Sequence, residues 1–212
     1  MAKRKTAFVC NECGAEFSKW LGQCTDCNAW NSIVEFRVPN EPRGERAIGY
    51  AGNQASEVKT LNEIELADLP RISTGADEFD RVLGGGLVPG SAILIGGSPG
   101  AGKSTLLLQT LCHLAATIPA LYITGEESLQ QVAMRAQRLQ LPTDKLKLLA
   151  ETDVHALLDR VRQIAPKVLV VDSIQVLYDP DLTAAPGSVS QVRDCAAMLT
   201  RYAKQSGTVL FL

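Results

Sequence analysis

The chain has 212 residues, of which 46% are hydrophobic and 21% are charged, and its net charge at pH 7 is −2. This composition is that of a globular protein, and the charge excludes a global basic field, so any surface for nucleic acid must be local. The longest apolar runs are far shorter than a membrane span, and the basic start Met1–Lys5 lacks the apolar stretch of a secretory signal. We therefore expect a cytoplasmic protein with no membrane partner.

Residues 1–36 form the first predicted unit and contain two Cys-x-x-Cys pairs. Cys10 and Cys13 form one pair, and Cys24 and Cys27 form the other. In a cytoplasmic chain such pairs indicate a metal before disulfides, and four thiolates complete the tetrahedral shell of structural Zn2+. Two disulfides or a redox pair are the alternative, although the strand–helix setting of a redox pair is missing. Since cysteine sulfur fills all four coordination positions of the metal, none is left for a water molecule. We therefore expect a unit that is structural or recognises a partner, and not a hydrolytic site.

The core of this small unit is expected to come largely from Trp20 and Trp30, with a tight turn at Gly14. A unit of about 35 residues buries too little apolar surface to fold without its metal. Residues 37–60 follow, and the prolines and glycines there interrupt any periodicity, which favours a linker. The two flanking units are therefore predicted to move relative to each other.

The second unit, residues 61–212, is organised around a glycine-rich stretch that follows a short apolar strand, Ala92–Ile95, predicted to be buried. Backbone N–H groups of such a loop, with the positive end of the next helix, bind phosphate oxygens. Lys103 would reach the β- and γ-phosphates of ATP, and the Ser104 hydroxyl would hold Mg2+. The alternative is a strand-to-helix turn without a ligand. The predicted nucleotide-binding residues are Gly97, Ser98, Pro99, Gly100, Ala101, Gly102, Lys103, Ser104 and Thr105.

Strands and helices alternate through this unit. Residues 72–83 predict a turn and a short helix, and Gly84–Gly86 predict a flexible turn or a close approach to a neighbouring subunit's nucleotide. Ser128 and Asp153 are expected to cap helices. Because the strands are apolar throughout and are separated by helices, the fold class is α/β, with a parallel sheet covered by helices on both faces. Strands are predicted at 120–124, 146–150, 168–172 and 208–212, and helices at 103–116, 129–139, 154–165 and 188–205.

Three carboxylates are predicted to meet the phosphate loop, because ligands of such sheets bind at the carboxyl ends of the strands. Asp172 ends the apolar stretch Val168–Val171, a Walker B pattern, and is expected to hold Mg2+ beside Ser104; a helix cap is the alternative. Glu126 and Glu127 follow the strand after the loop, and one of them is expected to act as base, its pKa raised by the other. Which one acts stays open, and a helical first turn favoured by the dipole is the alternative.

The segment from Asp179 to Asp194 is rich in hydroxyl, amide and proline side chains and includes Arg193. Such groups suit contacts with a phosphate backbone, although an ordinary surface loop has the same composition. The isolated histidines and cysteines have no metal-like neighbours in the sequence and are expected to be packed or solvated residues of helices. They are His113, His155, Cys112 and Cys195.

In this order, the four-cysteine unit and four motifs resemble the bacterial RadA (Sms) family of DNA repair proteins, which are relatives of the RecA recombinase. The motifs are Gly84–Gly90, Gly97–Thr105, Thr124–Ser128 and Val168–Gln175. The resemblance covers essentially the whole chain. It implies a RecA-like P-loop ATPase core preceded by a zinc-ribbon-like unit, with ATP, Mg2+ and Zn2+ as cofactors.

The resemblance also implies a DNA-dependent ATPase that processes recombination intermediates in repair and promotes branch migration of strand-exchange products made by RecA. The partners it implies are single-stranded and branched DNA, RecA, and further copies of the chain in a hexameric ring with ATP between subunits. By this likeness, Lys103 and Ser104 carry the nucleotide and Mg2+, Asp172 is the Walker B carboxylate, and Glu126 or Glu127 is catalytic. The segment after Asp172 would line the DNA channel.

The sequence departs from this family at its end. Family members continue into a Lys-Asn-Arg-Phe-Gly motif and a Lon-protease-like domain, whereas this sequence stops within the apolar stretch Val209–Leu212. RecA-like sheets place that strand between the phosphate-loop strand and the Walker B strand, so we hypothesise an N-terminal fragment with an incomplete ATPase domain. Two other functions stay open: a nucleotide-dependent adaptor whose zinc unit recruits RecA or another partner, and a clock-like or signalling kinase of the same superfamily.

Overall fold

The computed structural model describes residues 6–37, 60–63 and 70–212, which form two sheets. The first sheet is antiparallel with the order β2-β1-β3, and its strands are β1 (Thr6–Cys10), β2 (Glu16–Phe17) and β3 (Ile33–Arg37). The predicted linker lies outside the described residues except at its two ends, so the relative motion of the units stays a prediction.

The second sheet has five strands in the order β4-β8-β7-β5-β6, and all of its pairings are parallel. The predicted parallel sheet is therefore confirmed. The last strand, β8, lies between β4, which precedes the phosphate loop, and β7, which carries the Walker B pattern, as expected. The strands are β4 (Ala92–Ile93), β5 (Ala120–Thr124), β6 (Lys147–Ala150), β7 (Val168–Asp172) and β8 (Val209–Phe211).

Helices cover both faces of this sheet. Successive residues of a strand point to opposite sides, so a strand that is apolar throughout has two apolar faces to bury. Tyr122, Val170 and Phe211 pack with the helices Lys103–Leu114 and Leu129–Arg138 on one face, whereas Leu169 and Leu210 pack with the helices Val154–Ile164 and Val189–Ser206 on the other. Two apolar layers thus enclose the central strands, as the sequence predicts. The helices are α1 (Asp77–Val82), α2 (Lys103–Leu114), α3 (Leu129–Arg138), α4 (Val154–Ile164) and α5 (Val189–Ser206).

Two helix starts lie where the sequence places them. Ser128 caps α3 in a capping box, in which its hydroxyl accepts from the Gln131 N–H and the Gln131 side chain accepts from the Ser128 N–H. Asp153 caps α4 by accepting from the N–H groups of His155 and Ala156. Each cap satisfies donors that the first turn of a helix leaves without an intrahelical partner.

The strand before the phosphate loop is shorter and less buried than predicted. Ala92 and Ile93 pair as a strand, and Leu94 has 75% of its surface exposed. Within the described part of the chain, β4 is an edge strand that pairs only with β8. The prediction of a buried strand is therefore wrong, because a short apolar run looks the same at the edge and at the centre of a sheet.

The four-cysteine unit contacts the start of α5. The Asn11 carbonyl accepts a hydrogen bond from the Val189 N–H at 3.3 Å, and a Cβ on Gly14 would lie 3.0 Å from Val189 Cγ1. Ser188 precedes α5 but makes no side-chain capping bond. A carbonyl of the first knuckle therefore supplies an acceptor to the first turn of this helix.

The glycines Gly84–Gly86 make a tight turn against the segment before α1. The N–H and carbonyl groups of Ile72 and Leu87 exchange hydrogen bonds of 2.9 and 2.8 Å. Gly86 has φ 115°, and a Cβ there would lie 2.7 Å from the Ile72 carbonyl oxygen. Arg71 Nη1 donates to the Gly86 carbonyl at 3.1 Å. The turn interpretation is thus confirmed, whereas the approach to a neighbouring subunit stays a prediction.

Gly86→Ala is expected to lower the free energy of unfolding by about 3 kcal/mol, because it combines a left-handed φ with a backbone clash. Denaturant unfolding followed by circular dichroism measures the change. Gly75→Ala is the matched control, since Gly75 has φ 82° but a Cβ there would meet nothing within 4 Å. The control should cost only about 1 kcal/mol; equal costs for the two variants would contradict the clash.

Candidate nucleotide site and four-cysteine centre

Four sulfur atoms converge at the two knuckles. The Sγ atoms of Cys10, Cys13, Cys24 and Cys27 all lie within 4.8 Å of one another. The Cys10–Cys27 separation is 3.6 Å and the Cys13–Cys24 separation is 3.5 Å. A tetrahedron with Zn–S bonds of about 2.3 Å has edges of about 3.8 Å, so the cluster has the size of a zinc site. All four thiols are free, which argues against the disulfide alternative.

The two knuckles repeat the same local turn. The carbonyls of Cys10 and Cys24 accept from the N–H groups of Gly14 and Asn28, respectively, each at 2.9 Å. Gly14 has φ 76° and Asn28 has φ 60°, both in the left-handed region that glycine and asparagine tolerate best. The predicted turn at Gly14 is therefore confirmed, and Asn28 is its counterpart that sequence reasoning missed.

The thiols ionise unequally when no cation offsets their charge. Burial raises the pKa of Cys10, but hydrogen bonds, above all the one with Ser32, outweigh it and lower this pKa to about 6. At Cys13 the Ala15 N–H lowers the pKa, but desolvation and the neighbouring sulfur atoms raise it to about 12. The negative charge of one thiolate thus disfavours ionisation of the neighbouring thiol, and a bound divalent cation removes that repulsion. The donor set therefore fits Zn2+.

Trp20 and Trp30 do not form the core of this unit, contrary to the prediction. Their exposed fractions are 56% and 72%, and Trp20 Nε1 donates to the Ile33 carbonyl at 3.1 Å. The buried residues of the unit are instead Val9, Cys10, Cys24, Ser32 and Ile33. Two of the four cysteines, Cys10 and Cys24, are thus part of the buried set in place of the indoles. The unit therefore presents two large aromatic side chains to solvent.

The phosphate loop has the backbone that the motif requires. Gly100 and Gly102 have φ values of 80° and 87°, and a Cβ at either position would meet nothing within 4 Å. Gly102 is the N-cap of α2 and supplies no side-chain cap. The first N–H groups of α2 therefore follow a glycine-rich turn with open space beside Gly100 and Gly102, and free N–H groups at a helix start are what binds an anion.

Lys103 is the first residue of α2, and Ser104 and Thr105 follow it in the first turn. The Lys103 ammonium donates to the carbonyls of Gly97 at 2.7 Å and Ser98 at 3.0 Å. The side chain thus folds back over the loop that it is predicted to serve. The first turn of α2 thus carries one cation and two hydroxyl residues at the positive end of the helix.

Asp172 is the last residue of β7 and pairs in register with Thr124 on β5. Two residues earlier, Val170 packs on the face that α2 covers, so Asp172 points to that same face. The structure therefore brings Asp172 to the carboxyl edge of the sheet, on the side of the helix that begins at Lys103.

A phenol that sequence reasoning did not single out contacts this carboxylate. Tyr122 is fully buried on β5, and its hydroxyl donates to Asp172 Oδ2. Burial, and then this hydrogen bond, raise the pKa of Tyr122 well above its usual range, which keeps the phenol protonated as a donor. The only signal in the sequence is a polar tip within an apolar strand, since a buried tyrosine hydroxyl needs a partner.

The structure separates the two glutamates. The Ser173 hydroxyl donates to Glu126 Oε1, whereas Arg135 Nη2 on α3 donates to Glu127 Oε1. Glu126 therefore lies beside the residue that follows Asp172, and Glu127 is held in an ion pair with a largely buried arginine. Each of the two adjacent carboxylates thus has its own hydrogen-bond donor, and which of them acts as base stays a prediction.

Gly125 allows this separation. A Cβ there would lie 2.3 Å from Val176 Cγ2, so only glycine lets the 3-10 turn Ile174–Val176 pack against the end of β5. Thr124 fixes the next residues, because its hydroxyl donates to the Glu127 carbonyl at 2.8 Å and accepts from the Glu127 N–H at 3.1 Å. The backbone between the glutamates is thereby held in one conformation.

Part of the segment after Asp172 serves the fold. Ser190 and Gln191 lie in α5 and are only 2% and 1% exposed. Gln191 Oε1 accepts from the Asp179 N–H at 2.7 Å, and its Nε2 donates to the Ala184 carbonyl at 2.9 Å. The prediction that these two side chains suit a phosphate backbone is wrong, because they are buried and bonded within the chain.

His155 has acidic neighbours that the sequence separates from it. Its Nε2 lies 3.1 Å from Asp179 Oδ1 and 3.8 Å from Asp181 Oδ2. Asp179 Oδ1 also accepts from the Asp181 N–H at 2.9 Å, so these contacts anchor residues 179–181 to α4. The expectation that His155 lacks metal-like neighbours is wrong, whereas Cys112 and Cys195 are buried on helix faces as expected.

Two family models match separate parts of the chain. Residues 8–35 match a rubredoxin metal binding domain of the zinc-ribbon type, and residues 72–154 match the KaiC ATPase family. The first match coincides with the four-sulfur cluster, and the second contains the phosphate loop and both glutamates. Among the described helices, none combines the length and the apolar character needed to cross a bilayer.

Curated relatives match the chain from end to end. The DNA repair protein RadA of Pseudomonas aeruginosa is 59% identical over 212 residues, and that of Escherichia coli is 58% identical over 217. RadA of Bacillus subtilis is 45% identical over 214 residues. Each alignment covers 100% of this chain and 47% of the relative, so the chain spans about half the length of the proteins it matches. Across that span, the chain is similar to these DNA repair proteins RadA.

Proposed function

We propose that this chain binds and hydrolyses ATP as the nucleotide-binding part of a DNA repair ATPase. The observation that carries the proposal is the meeting of the loop Gly97–Thr105, Asp172 and Glu126 at the carboxyl edge of one parallel sheet. The loop N–H groups would bind the phosphates, and Ser104 and Asp172 would hold Mg2+. When bound, Mg2+ neutralises charge on the phosphate oxygens.

Lys103 would exchange partners when the nucleotide binds. Its ammonium donates to two backbone carbonyls, Gly97 and Ser98. A phosphate oxygen is a charged acceptor and forms the stronger, charge-assisted hydrogen bond. The carbonyl contacts therefore hold the side chain close to its working position without competing with the triphosphate.

Glu126 is the glutamate that we propose as general base. Its carboxylate is oriented by Ser173, directly after Asp172, whereas Glu127 is occupied by Arg135. A base must lie within reach of the water that it activates, near the phosphates and the Walker B carboxylate. Glu127 would instead act through the ion pair that ties α3 to the end of β5.

Glu126→Gln is expected to lower kcat by about 10²–10⁴-fold, the usual contribution of general base catalysis. Nucleotide affinity should stay close to that of the parent, because the amide keeps the shape and the hydrogen bond with Ser173. Glu127→Gln is the matched control: it weakens the pair with Arg135, so its cost should fall mainly on stability. Single-turnover ATP hydrolysis with thermal unfolding separates the two effects, and a larger kcat loss in Glu127→Gln would reverse the assignment.

The finer function that we propose is DNA-dependent hydrolysis that processes recombination intermediates and drives branch migration of strand-exchange products made by RecA. Single-stranded and branched DNA, RecA and a homo-hexameric ring are the partners of this proposal. It is supported by the names and identities of the RadA relatives. Steady-state ATP hydrolysis with and without single-stranded DNA, in a full-length protein, tests it; a rate that DNA does not change would contradict the DNA-dependent part.

A second candidate is a nucleotide-dependent adaptor whose zinc unit recruits RecA or another partner. The exposed indoles of Trp20 and Trp30 favour it, because exposed aromatic residues are enriched where proteins bind one another. The double variant Trp20→Ala/Trp30→Ala should then lose RecA capture while keeping ATP hydrolysis. Loss of hydrolysis with capture intact would count against the adaptor.

We also propose that the chain divides into a zinc unit at 1–36, a linker at 37–60 and an ATPase domain at 61–212. The two family matches, at 8–35 and 72–154, each fall within one of these units and support the division. Limited proteolysis should cut first within the proposed linker; cleavage within either unit before the linker would contradict the boundaries.

A further inference from the structure

We infer that Tyr122 is a positioning residue, whose hydroxyl fixes the carboxylate of Asp172 so that one oxygen stays available to Mg2+. The inference rests on the proposed role of Asp172 as the Walker B ligand. It is carried by the hydrogen bond from Tyr122 Oη to Asp172 Oδ2 and by the complete burial of the phenol.

The sheet register explains why a tyrosine at this position reaches the carboxylate. Tyr122 pairs with Val170, and Thr124 pairs with Asp172, on adjacent parallel strands. Tyr122 and Asp172 are therefore diagonal neighbours on one face, separated along the strand by two residues, or about 6.6 Å. A phenol spans that distance, whereas a serine or threonine hydroxyl at this position is too short and phenylalanine has no donor.

The contact restricts the carboxylate in a way that suits metal binding. Oδ2 is engaged by the phenol, which leaves Oδ1 as the oxygen without this tether. An O–H group that donates to an ionised carboxylate forms a charge-assisted bond, and Tyr122 is 0% exposed, so water is not a ready substitute. Partners that orient a ligand in this way typically contribute about 10–100-fold to metal affinity or activity.

Tyr122→Phe in the zinc-loaded protein tests the inference, with Mn2+ as the probe and ADP present. Electron paramagnetic resonance of free Mn2+ gives the metal dissociation constant, which should rise by about tenfold. ADP binding measured in the zinc-loaded protein without added Mn2+ or Mg2+ should stay unchanged, because the phenol is not part of the phosphate loop. Tyr202→Phe is the matched control: Tyr202 packs on the opposite face of the sheet and should leave both constants unaltered.

The outcomes separate this inference from the proposed function. If the parent binds neither ADP nor Mn2+, the proposed function fails. If the parent binds both, and Tyr122→Phe binds Mn2+ as tightly as the parent, the positioning role is overturned while the function stands. If Tyr122→Phe does not fold, nuclear magnetic resonance of the parent labelled with 13Cζ-tyrosine tests the inference instead. The metal in this experiment is Mg2+ in place of Mn2+. With ADP bound, one tyrosine resonance must shift when Mg2+ is added. No shifted resonance would overturn the inference.

Discussion

Lys103→Ala is expected to abolish ATP hydrolysis, with a loss of at least about 100-fold in turnover. The ammonium lies over the phosphate loop, and alanine removes the one side-chain cation of the motif, so charge that develops on the phosphates loses a preorganised partner. Removing one such donor in other enzymes costs about 10²–10³-fold. Fold should be preserved, because the Lys103 ammonium contacts only the loop carbonyls of Gly97 and Ser98 in the hydrogen bonds described.

The measurement is phosphate release at saturating ATP, with circular dichroism to verify folding. Lys204→Ala is the matched control, since Lys204 is an exposed lysine near the end of α5 and far along the chain from the loop. A Lys103→Ala protein as active as the parent would refute the nucleotide site, because no other cation of the motif replaces it.

Removal of zinc is expected to unfold residues 6–37 and to leave the second sheet folded. The buried apolar residues of the first unit are Val9, Cys10, Cys24 and Ile33, and this core is too small to hold three short strands together without the metal. Zinc-finger peptides gain about 10–16 kcal/mol from their metal at neutral pH, and here that free energy would be folding free energy. Cys24→Ser should therefore lose both the metal and the amide protection of β1 and β3.

Elemental analysis of the metal and hydrogen exchange read by mass spectrometry check this expectation. The parent should contain about one zinc per chain, as one S4 shell requires. Cys112→Ala should retain it, because Cys112 is buried on α2 away from the knuckles. Faster exchange at Val189, whose N–H donates to Asn11, should accompany zinc loss. A metal-free Cys24→Ser protein with full protection of β1 would contradict the structural role.

Local motifs could be predicted because neighbours in the sequence determine them. The turns of the phosphate loop, the capping box at Ser128 and the Asp153 cap depend on residues within four positions of one another, so their spacing is sufficient. The Cys-x-x-Cys pairs behave in the same way, since two intervening residues bring both thiolates toward one ion.

Contacts between distant segments could not be predicted in this way. Glu126 and Glu127 are adjacent and chemically identical, and only the packing of Ser173 and Arg135 against them tells one from the other. The wrong core assignment for Trp20 has the same origin: apolar character indicates burial only where the fold provides enough volume.

The sequence by itself determined which chemical groups are present and how each is presented locally: a glycine-lined helix start, a strand-terminal carboxylate and paired thiols. Tertiary structure alone decided which strand lies at the edge, which glutamate contacts Ser173 beside Asp172, and that Tyr122 contacts Asp172 from 50 residues away. The physical reason is the separation along the chain between the groups that interact. Backbone turns and caps are formed by groups a few bonds apart, whereas burial and hydrogen-bond partners in a parallel sheet depend on strand order and register, which no single segment encodes.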